Sequence, residues 1–348
     1  MKYKWQIIAG VSVLVIVLGV IVGFGLSGMF QEPVSKPPKK TVKKAKPKPE
    51  PQSSLCAFKG DEIQKDVTRP LAIMVENLST IRPQAGLNDA CIVVEALAEG
   101  GITRLMLVFG AHGSDNVGPI RSARTHYVAL ADGWDAIYSH VGGSIYATRA
   151  IKDWGVNDWD QSFHAGSYDR VRWTSAPHNV FTSTSRIREA AKEYKEGGDI
   201  QSVGFKFKKT PPMKSRPEGQ KKVTIDFSDP QYLVDYQYDR QSNTYKRFNG
   251  GSPHEDANTK TQVAPTNIIV MRAQTRSIAG GSGVLDIDVT GTGNLTVFRD
   301  GKVIDGSWEK SSPGSPLKLK DSSGKVIPLS PGQTWIEIVR PTTQVTIQ

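Results

Sequence analysis

Cysteine is scarce in this sequence of 348 residues, with only Cys56 and Cys91 present. No Cys-x-x-Cys pair occurs and no cysteine–histidine spacing suggests a structural zinc, so we predict no metal site. The two thiols could form a disulfide in an oxidising compartment. The alternative that the sequence favours is two separate thiols, with Cys91 buried in the apolar run of residues 91–94.

Signatures of the common catalytic sites are also missing. The chain has no Walker phosphate loop, no dinucleotide-binding glycine pattern and no Gly-x-Ser-x-Gly elbow with a clear triad order. Short glycine patterns at residues 281–283 and 291–293 are typical of hairpin turns instead. We therefore predict no cofactor, and the sequence leaves open whether the protein is an enzyme.

Negative charge is nearly absent from the first 59 residues. They hold ten lysines and two glutamates, and so carry eight of the ten net positive charges of the chain. A nucleic-acid-binding protein concentrates its positive charge on its folded domain. Because the rest of this chain is close to neutral, the distribution argues against nucleic acid as a partner.

One long apolar segment does occur, at residues 7–29. These 23 residues carry no charge, and as a helix they would measure roughly 34 Å, enough to cross a hydrocarbon core of about 30 Å. Cleavable signal peptides have shorter apolar regions of about 7–15 residues. We therefore predict an uncleaved signal-anchor, a single transmembrane helix, behind a cytoplasmic stub of residues 1–6.

Residues 30–56 form a predicted tether that is rich in lysine and proline. Such a segment cannot bury a core and is expected to stay disordered and extended. Lysines flank both ends of the apolar span, but long domains are translocated largely regardless of loop charge. We therefore expect a single-pass protein of the cell membrane whose folded part is extracytoplasmic. The tether lysines could also contact anionic head groups or wall polymers.

Two domains are predicted behind the tether. Residues 57–207 alternate apolar runs with helical segments, which is typical of an α/β or α+β layered domain. Residues 208–221 are the predicted linker, and residues 222–348 are predicted to be all-β, with Asp300-Gly301 as a hairpin turn. The predicted strands are 71–75, 92–96, 102–109, 135–141, 222–227, 285–289 and 335–339, and the predicted helices are 123–131, 144–154 and 185–195.

The most informative candidate site is the loop that leads into the first predicted helix, where Arg121, Ser122 and Arg124 lie. Free backbone N–H groups and the helix dipole favour anions there, and two arginines add bidentate donors. The pattern predicts a seat for phosphate, pyrophosphate or carboxylate. The alternative is structural: Ser122 caps the helix and the arginines pair with Glu95 and Glu99.

Two histidines are candidates for acid–base chemistry or a metal pair, although neither has a defined ligand spacing. His140 ends an apolar strand and is more typical of a satisfied core histidine, whereas His178 lies in a predicted loop. Glu99 is the third catalytic candidate, and Ser144 could cap a helix at a second anion seat. The predicted ligand-binding residues are Arg82, Glu95, Glu99, Arg104, Arg121, Ser122, Arg124, His140, Gly142, Gly143, Ser144, Arg170, His178 and Asn179.

Several of these motifs, in order, resemble a known family. The matching stretches are residues 69–75, 82–87, 99–104, 118–124, 134–144, 176–179, 267–270, 301–302, 308–310 and 331–335. They are similar to the YerB-like family of bacterial envelope lipoproteins, which has a domain of unknown function and an all-β C-terminal domain. The resemblance implies an extracytoplasmic protein of a Gram-positive-type bacterium without an assigned activity.

The anchor departs from that family's pattern. Its lipoproteins should carry a cysteine after a Leu-Ser-Gly-like lipobox, but here Leu26-Ser27-Gly28 is followed by Met29. The thiol that would take the lipid is missing, and Cys56 lies too far along the chain to replace it. Anchoring is therefore expected to depend on the transmembrane helix alone.

Three hypotheses for function follow. The leading one is a non-enzymatic envelope module whose arginines bind an anionic wall polymer or a lipid-linked phosphate. The second is an enzyme acting on phosphorylated or glycan envelope substrates, in which the arginines stabilise developing charge and His178 or Glu99 is the general base. The third is a structural partner protein of an envelope, division or sporulation complex.

Overall fold

The computed structural model describes residues 52–57, 62–63, 68–193, 204–218, 221–278 and 283–348 of the chain. The predicted transmembrane segment, most of the predicted tether and part of the predicted linker lie outside these ranges. Within the described ranges, no helix combines the length and the apolar character needed to cross a membrane. The single-pass anchor at residues 7–29 therefore stays a prediction.

The N-terminal half alternates strands and helices, as its sequence predicts. Apolar runs form buried strands, and Ser144 caps the second helix by accepting a hydrogen bond from the backbone N–H of Ala147. The strands are β1 Gln52–Ser54, β2 Leu71–Glu76, β3 Ile92–Leu97, β4 Thr103–Phe109, β5 Ile137–His140, β6 Asp158–Asp160, β7 Asp169–Arg170, β8 Val180–Phe181 and β9 Phe205–Phe207. The α-helices are α1 Thr125–Gly133, α2 Ile145–Trp154 and α3 Thr184–Glu193.

The C-terminal half is built from strands, and its only described helical element is a short 3-10 turn, Pro230–Tyr232. The predicted Asp300-Gly301 hairpin turn is confirmed, because both residues have positive φ angles, of 54° and 68°. The strands are β10 Lys222–Asp226, β11 Leu233–Asp239, β12 Thr244–Asn249, β13 Ser252–Pro253, β14 Asn267–Arg272, β15 Thr275–Ser277, β16 Leu285–Ile287, β17 Gly291–Arg299, β18 Lys302–Lys310, β19 Lys318–Asp321, β20 Thr334–Val339 and β21 Val345–Ile347.

A ten-stranded sheet runs through both halves in the order β19-β18-β17-β14-β20-β3-β4-β2-β5-β6. The two halves meet where β20 pairs in parallel with β3, from Thr334 opposite Ile92 to Ile338 opposite Ala96. One face of this sheet packs against α1 and α2. The other face packs against α3 and a five-stranded sheet of order β13-β12-β11-β10-β21. The result is a layered mixed α/β fold with a sheet-rich C-terminal region.

Cys56 and Cys91 form a disulfide, so the interpretation of two separate thiols was wrong. The reason is the pairing of β1 with β9, which holds residues 52–54 beside the folded part of the chain. This pairing brings Cys56 to the start of β3, where Cys91 precedes Ile92. The N-terminal extension is therefore covalently attached at the edge of the large sheet where β3 begins.

The opposite edge of the sheet collects the loops that carry most of the predicted site. Strands β2, β5 and β6 run parallel to one another, and β2 and β3 are both antiparallel to β4. The carboxyl ends of β2, β3, β5 and β6 therefore lie along one edge, together with the beginning of β4. In open α/β sheets, ligands bind in the crevice outside the carboxyl ends of the strands.

Candidate functional site

A cleft of about 480 Å³ opens at this carboxyl edge. It brings together the loops that follow β2, β3 and β5, the start of β4, the loop between β4 and α1 and the loop before β8. Eight of the predicted ligand-binding residues line it: Glu99, Arg104, Arg121, Ser122, Arg124, Gly143, Ser144 and His178. The order of these residues in the sequence did not show that they lie close together. The folded structure places all eight around one cleft.

Glu99 is held by arginines on one side of the cleft. Arg124 donates from Nε and a terminal nitrogen to the two carboxylate oxygens of Glu99, at 2.5 and 2.6 Å. Arg104 lies 3.9 Å from the same carboxylate and donates to the backbone oxygen of Ser122 at 3.1 Å. Burial alone would raise the pKa of Glu99, but the hydrogen bonds and charge of Arg124 outweigh it and lower that pKa.

Glu76, at the end of β2, organises the other side of the cleft. Its carboxylate lies 3.3 Å from Nε of Arg121 and accepts a 2.6 Å hydrogen bond from Nδ1 of His178. Arg121 also donates to the backbone oxygen of Pro177 at 3.1 Å. Glu76 therefore fixes the orientation of both His178 and Arg121, and nothing in our sequence prediction included it.

The cleft carries an excess of positive charge. Three arginines face two glutamates, so the net charge is about +1 when His178 is neutral. Burial is the main cause that lowers the pKa of Arg104 to about 10; the charges of Arg124 and Arg121 add to this effect, and Glu99 opposes it. Arg104 is still cationic at neutral pH, in a neighbourhood where a further anion would be stabilising.

At the two helix N-termini beside the cleft, the predicted cap is wrong for α1 and confirmed for α2. Arg124, not Ser122, is the N-cap residue of α1, and no side chain caps that helix. The expected cap does form on α2, but there the N–H groups of the glycine turn already have acceptors. Gly142 donates to Asp160 and Ser144 donates to the backbone oxygen of Ala123. The α2 turn therefore offers few free N–H groups for a second anion.

The remaining predicted residues lie outside the cleft. His140 is buried and hydrogen-bonds to Asp158 and to the backbone oxygen of Gly142, as expected of a core histidine. Arg170 is exposed and donates to Asn179.

Two further predicted residues also lie elsewhere. Arg82 lines a second cleft of about 370 Å³. Glu95 lies in the core, where it is fully buried.

Glu95 belongs to a buried polar network that the sequence did not predict. Arg247, on β12, donates to Glu95 and lies 3.9 Å from Glu337, and all three side chains are fully buried. The network reaches the cleft through Asn77 and Thr103, which both donate to Glu95, at 3.0 and 2.6 Å. The alternative pairing of Glu95 with the loop arginines is therefore wrong, because β12 supplies its partner.

Across the ranges that the structure describes, no three or more histidine, cysteine, aspartate or glutamate side chains are grouped so as to hold a metal ion. The cleft itself presents guanidinium groups, two carboxylates, a carboxylate-oriented imidazole and hydroxyls.

The fold and the cleft define a mixed α/β protein with a sheet-rich C-terminal region. Residues 58–197 match the family described as "Protein of unknown function (DUF3048) N-terminal domain", and residues 223–336 match its C-terminal domain. The chain belongs to this family.

The chain is similar to a protein of Bacillus subtilis (strain 168) named "Putative lipoprotein YerB". The two are 35% identical over 277 residues, which cover 78% of this chain and 81% of the relative. A crystal structure of the YerB protein from Bacillus subtilis superposes with a TM-score of 0.72 at 31% identity, and covers 81% of this chain and 94% of that one. The resemblance to the YerB-like family is confirmed.

Proposed function

We propose that this protein is a membrane-anchored component of the cell envelope whose arginine-rich cleft binds an anionic wall polymer or a lipid-linked phosphate. The location is supported by the name of the relative as a lipoprotein, by the apolar segment at residues 7–29 and by the disulfide, which persists in oxidising compartments. The observation that carries the binding function is the excess of guanidinium groups over carboxylates in one cleft.

Anion binding would use the arginines unequally. Arg124 is already engaged by both oxygens of Glu99, whereas Arg121 and Arg104 are held by single, longer ion-pair contacts of 3.3 and 3.9 Å. Guanidinium groups bind phosphate and carboxylate oxygens in pairs. An incoming anion would therefore contact Arg121 and Arg104 first, with Arg124 and Glu99 fixing the width of the cleft.

The first test measures the melting temperature of the full chain in detergent against a panel of anions. The panel contains pyrophosphate, polyprenyl phosphate, poly(glycerol phosphate) and peptidoglycan fragments. A ligand present at 100 times its dissociation constant stabilises by about 2.7 kcal/mol, which raises the melting temperature by roughly 5–10 °C. The shift should disappear in an Arg104→Ala/Arg121→Ala variant and persist in Arg240→Ala, which changes an arginine outside the cleft.

The pairing of His178 with Glu76 favours a second candidate, an enzyme acting on phosphorylated or glycan substrates. A histidine oriented by a carboxylate is a common general base, and Nδ1 of His178 is fixed by the 2.6 Å bond to Glu76. Glu99 is a poor base, because Arg124 engages both its oxygens and its pKa is lowered.

The same panel separates the remaining hypotheses when phosphate and sugar release are also measured. An enzyme would release product, and His178→Gln would abolish turnover while the thermal shift remains. A binding protein would show the shift without product. A folded chain that shows no shift with any ligand would contradict the anion site and leave the hypothesis of a structural partner protein.

A further inference from the structure

Large apolar side chains stand exposed at the same edge of the molecule as the cleft. Ile145 is 75% exposed, Phe163 79% and Trp173 73%. Each belongs to a different segment: the start of α2, the turn after β6 and the loop between β7 and β8. Exposed aromatic side chains that gather at one place on a surface mark an interaction site.

Hydrogen bonds hold these three segments beside the cleft. Asp160 accepts from the backbone N–H groups of Gly142 and Ser162, at 3.1 and 3.0 Å, and so joins the turn of Phe163 to the turn before Ile145. Ser144, directly before Ile145, lines the cleft. We call the surface that carries Ile145, Phe163 and Trp173 the rim; through Ser144 it is continuous with the proposed anion site.

Two contacts place the loop of Trp173 on the same rim, one made by Trp173 itself and one made by Arg170. Its ring lies 5.2 Å from the buried ring of Phe181. Arg170, three residues before it, donates to Gln161 at 3.4 Å and to Asn179 at 3.1 Å, which joins the β7–β8 loop to the turn of Phe163. The loop that carries Trp173 also carries His178, whose side chain faces the cleft.

The loops that carry Phe163 and Trp173 expose both small or apolar residues and polar ones. Beside the exposed Ala165, Gly166, Ala176 and Pro177 lie the polar side chains of Ser162, Arg172 and Ser175, which are exposed, and of Gln161 and Thr174, which are half-buried. In the apolar part of a bilayer such groups would lose water without gaining partners. Against a sugar they can exchange hydrogen bonds with hydroxyl groups, while aromatic rings supply flat apolar area.

We propose that the ligand of the cleft is an anionic glycan, whose sugar rings pack on Phe163 and Trp173 while its acidic group lies among the arginines. This inference depends on the proposed anion-binding function and extends it to the class of ligand. It assigns recognition of the polymer to the rim and recognition of its charge to the cleft.

The test uses the full chain in nanodiscs of neutral lipid and two probes. Hyaluronan oligosaccharides carry carboxylates on sugar rings, whereas poly(glycerol phosphate) carries acidic groups without rings. Phe163→Ala/Trp173→Ala should weaken hyaluronan binding about tenfold and leave poly(glycerol phosphate) binding unchanged. Met213→Ala, which removes an apolar side chain exposed to 49% outside the cleft and its rim, is the matched control and should weaken neither.

Other outcomes separate this inference from the function on which it depends. If poly(glycerol phosphate) binds through Arg104 and Arg121 but Phe163→Ala/Trp173→Ala leaves hyaluronan binding unchanged, the anion site stands and the glycan proposal fails. If neither probe binds, both fail. If brominated phosphatidylcholine in the nanodiscs quenches fluorescence that Trp173→Ala removes, the rim contacts lipid and the glycan proposal is overturned.

Discussion

Arg247 shows how one buried side chain connects the two halves of the protein. It lies between Glu95 of the N-terminal half and Glu337 of the C-terminal half, two residues that sit opposite each other where β3 pairs with β20. Burial alone would lower the pKa of Arg247, but the charges of Glu95, Tyr236 and Glu337 raise it instead. One cation thus neutralises one buried carboxylate, and the raised pKa of Glu337 keeps the second carboxyl group protonated at neutral pH, so the pair is not buried as two anions.

The pH dependence of stability should report this arrangement. Burial raises the pKa of Glu337 from 4.5 to about 8, and the charge of Glu95 adds to the rise while Arg247 opposes it. Between these values the folded chain keeps a proton that the unfolded chain has released. The contribution of Glu337 is therefore fully present below pH 4.5 and is lost as the pH rises to about 8, with a slope of at most about 1.4 kcal/mol per pH unit.

Urea unfolding at a series of pH values between 5 and about 8.5 measures this slope. Glu337→Gln should flatten it, because the amide does not titrate, whereas Glu218→Gln, an exposed control, should keep the slope of the natural sequence. The same pH dependence in both variants would contradict the assignment of the proton to Glu337.

At the residue scale, the sequence showed the cleft in part. The motif around Arg121 and Arg124 identified it, because two arginines in a loop that leads into a helix are a pattern typical of anion binding. Glu76 was missed because it ends a strand whose other residues are apolar. Glu95 was assigned to the wrong partner, although a carboxylate inside the apolar run of β3 did signal that some buried cation must face it.

Elements were the most predictable level of this structure. The strands at 71–76, 92–97 and 103–109 agree with their predicted bounds to within one residue, because continuous apolar runs between turn residues leave few alternatives. The hairpin between β17 and β18 was equally clear, since Asp-Gly tolerates the positive φ angles of its two-residue turn. Local chemistry decides both features, so a local sequence pattern is sufficient to predict them.

The tight turn at Gly301 gives a prediction at the element scale. A Cβ atom there would lie 2.5 Å from the ring of Tyr238, and the residue has a φ of +68°. Gly301→Ala should therefore lower the unfolding free energy by about 2–4 kcal/mol, the sum of backbone strain and overpacking. Gly324→Ala is the matched control, because its φ is +79° but its Cβ would meet nothing within 4 Å.

Urea unfolding of the two alanine variants separates the two costs. Gly324→Ala should lose only the backbone part, about 1–2 kcal/mol. Equal losses in the two variants would show that the ring of Tyr238 moves aside freely and that packing against the turn contributes nothing to the hairpin.

The whole molecule was the least predictable level. The sequence indicated two domains joined by a linker, but it could not show that β20 enters the sheet beside β3, because parallel pairing between distant segments leaves no local pattern. The same limit applied to the cysteines, whose sequence separation of 35 allowed either free thiols or a bond. Long-range pairing thus decided both the shared sheet and the covalent link to the N-terminal extension.

Reduction of the disulfide should reveal its contribution to the whole fold. In the chain-entropy model, a bond that closes a loop of 35 residues stabilises by about 3–4 kcal/mol. Unfolding with and without reductant should show a loss of that size, and Cys56→Ser/Cys91→Ser should show the same loss and no response to reductant. An equal unfolding midpoint in all samples would mean that the pairing of β1 with β9 alone holds the extension.

Thiol titration of the denatured chain adds a test of where the protein folds. A protein that folds in an oxidising envelope should yield no free thiol. Two free thiols in chain taken directly from cells would place its folding in a reducing compartment.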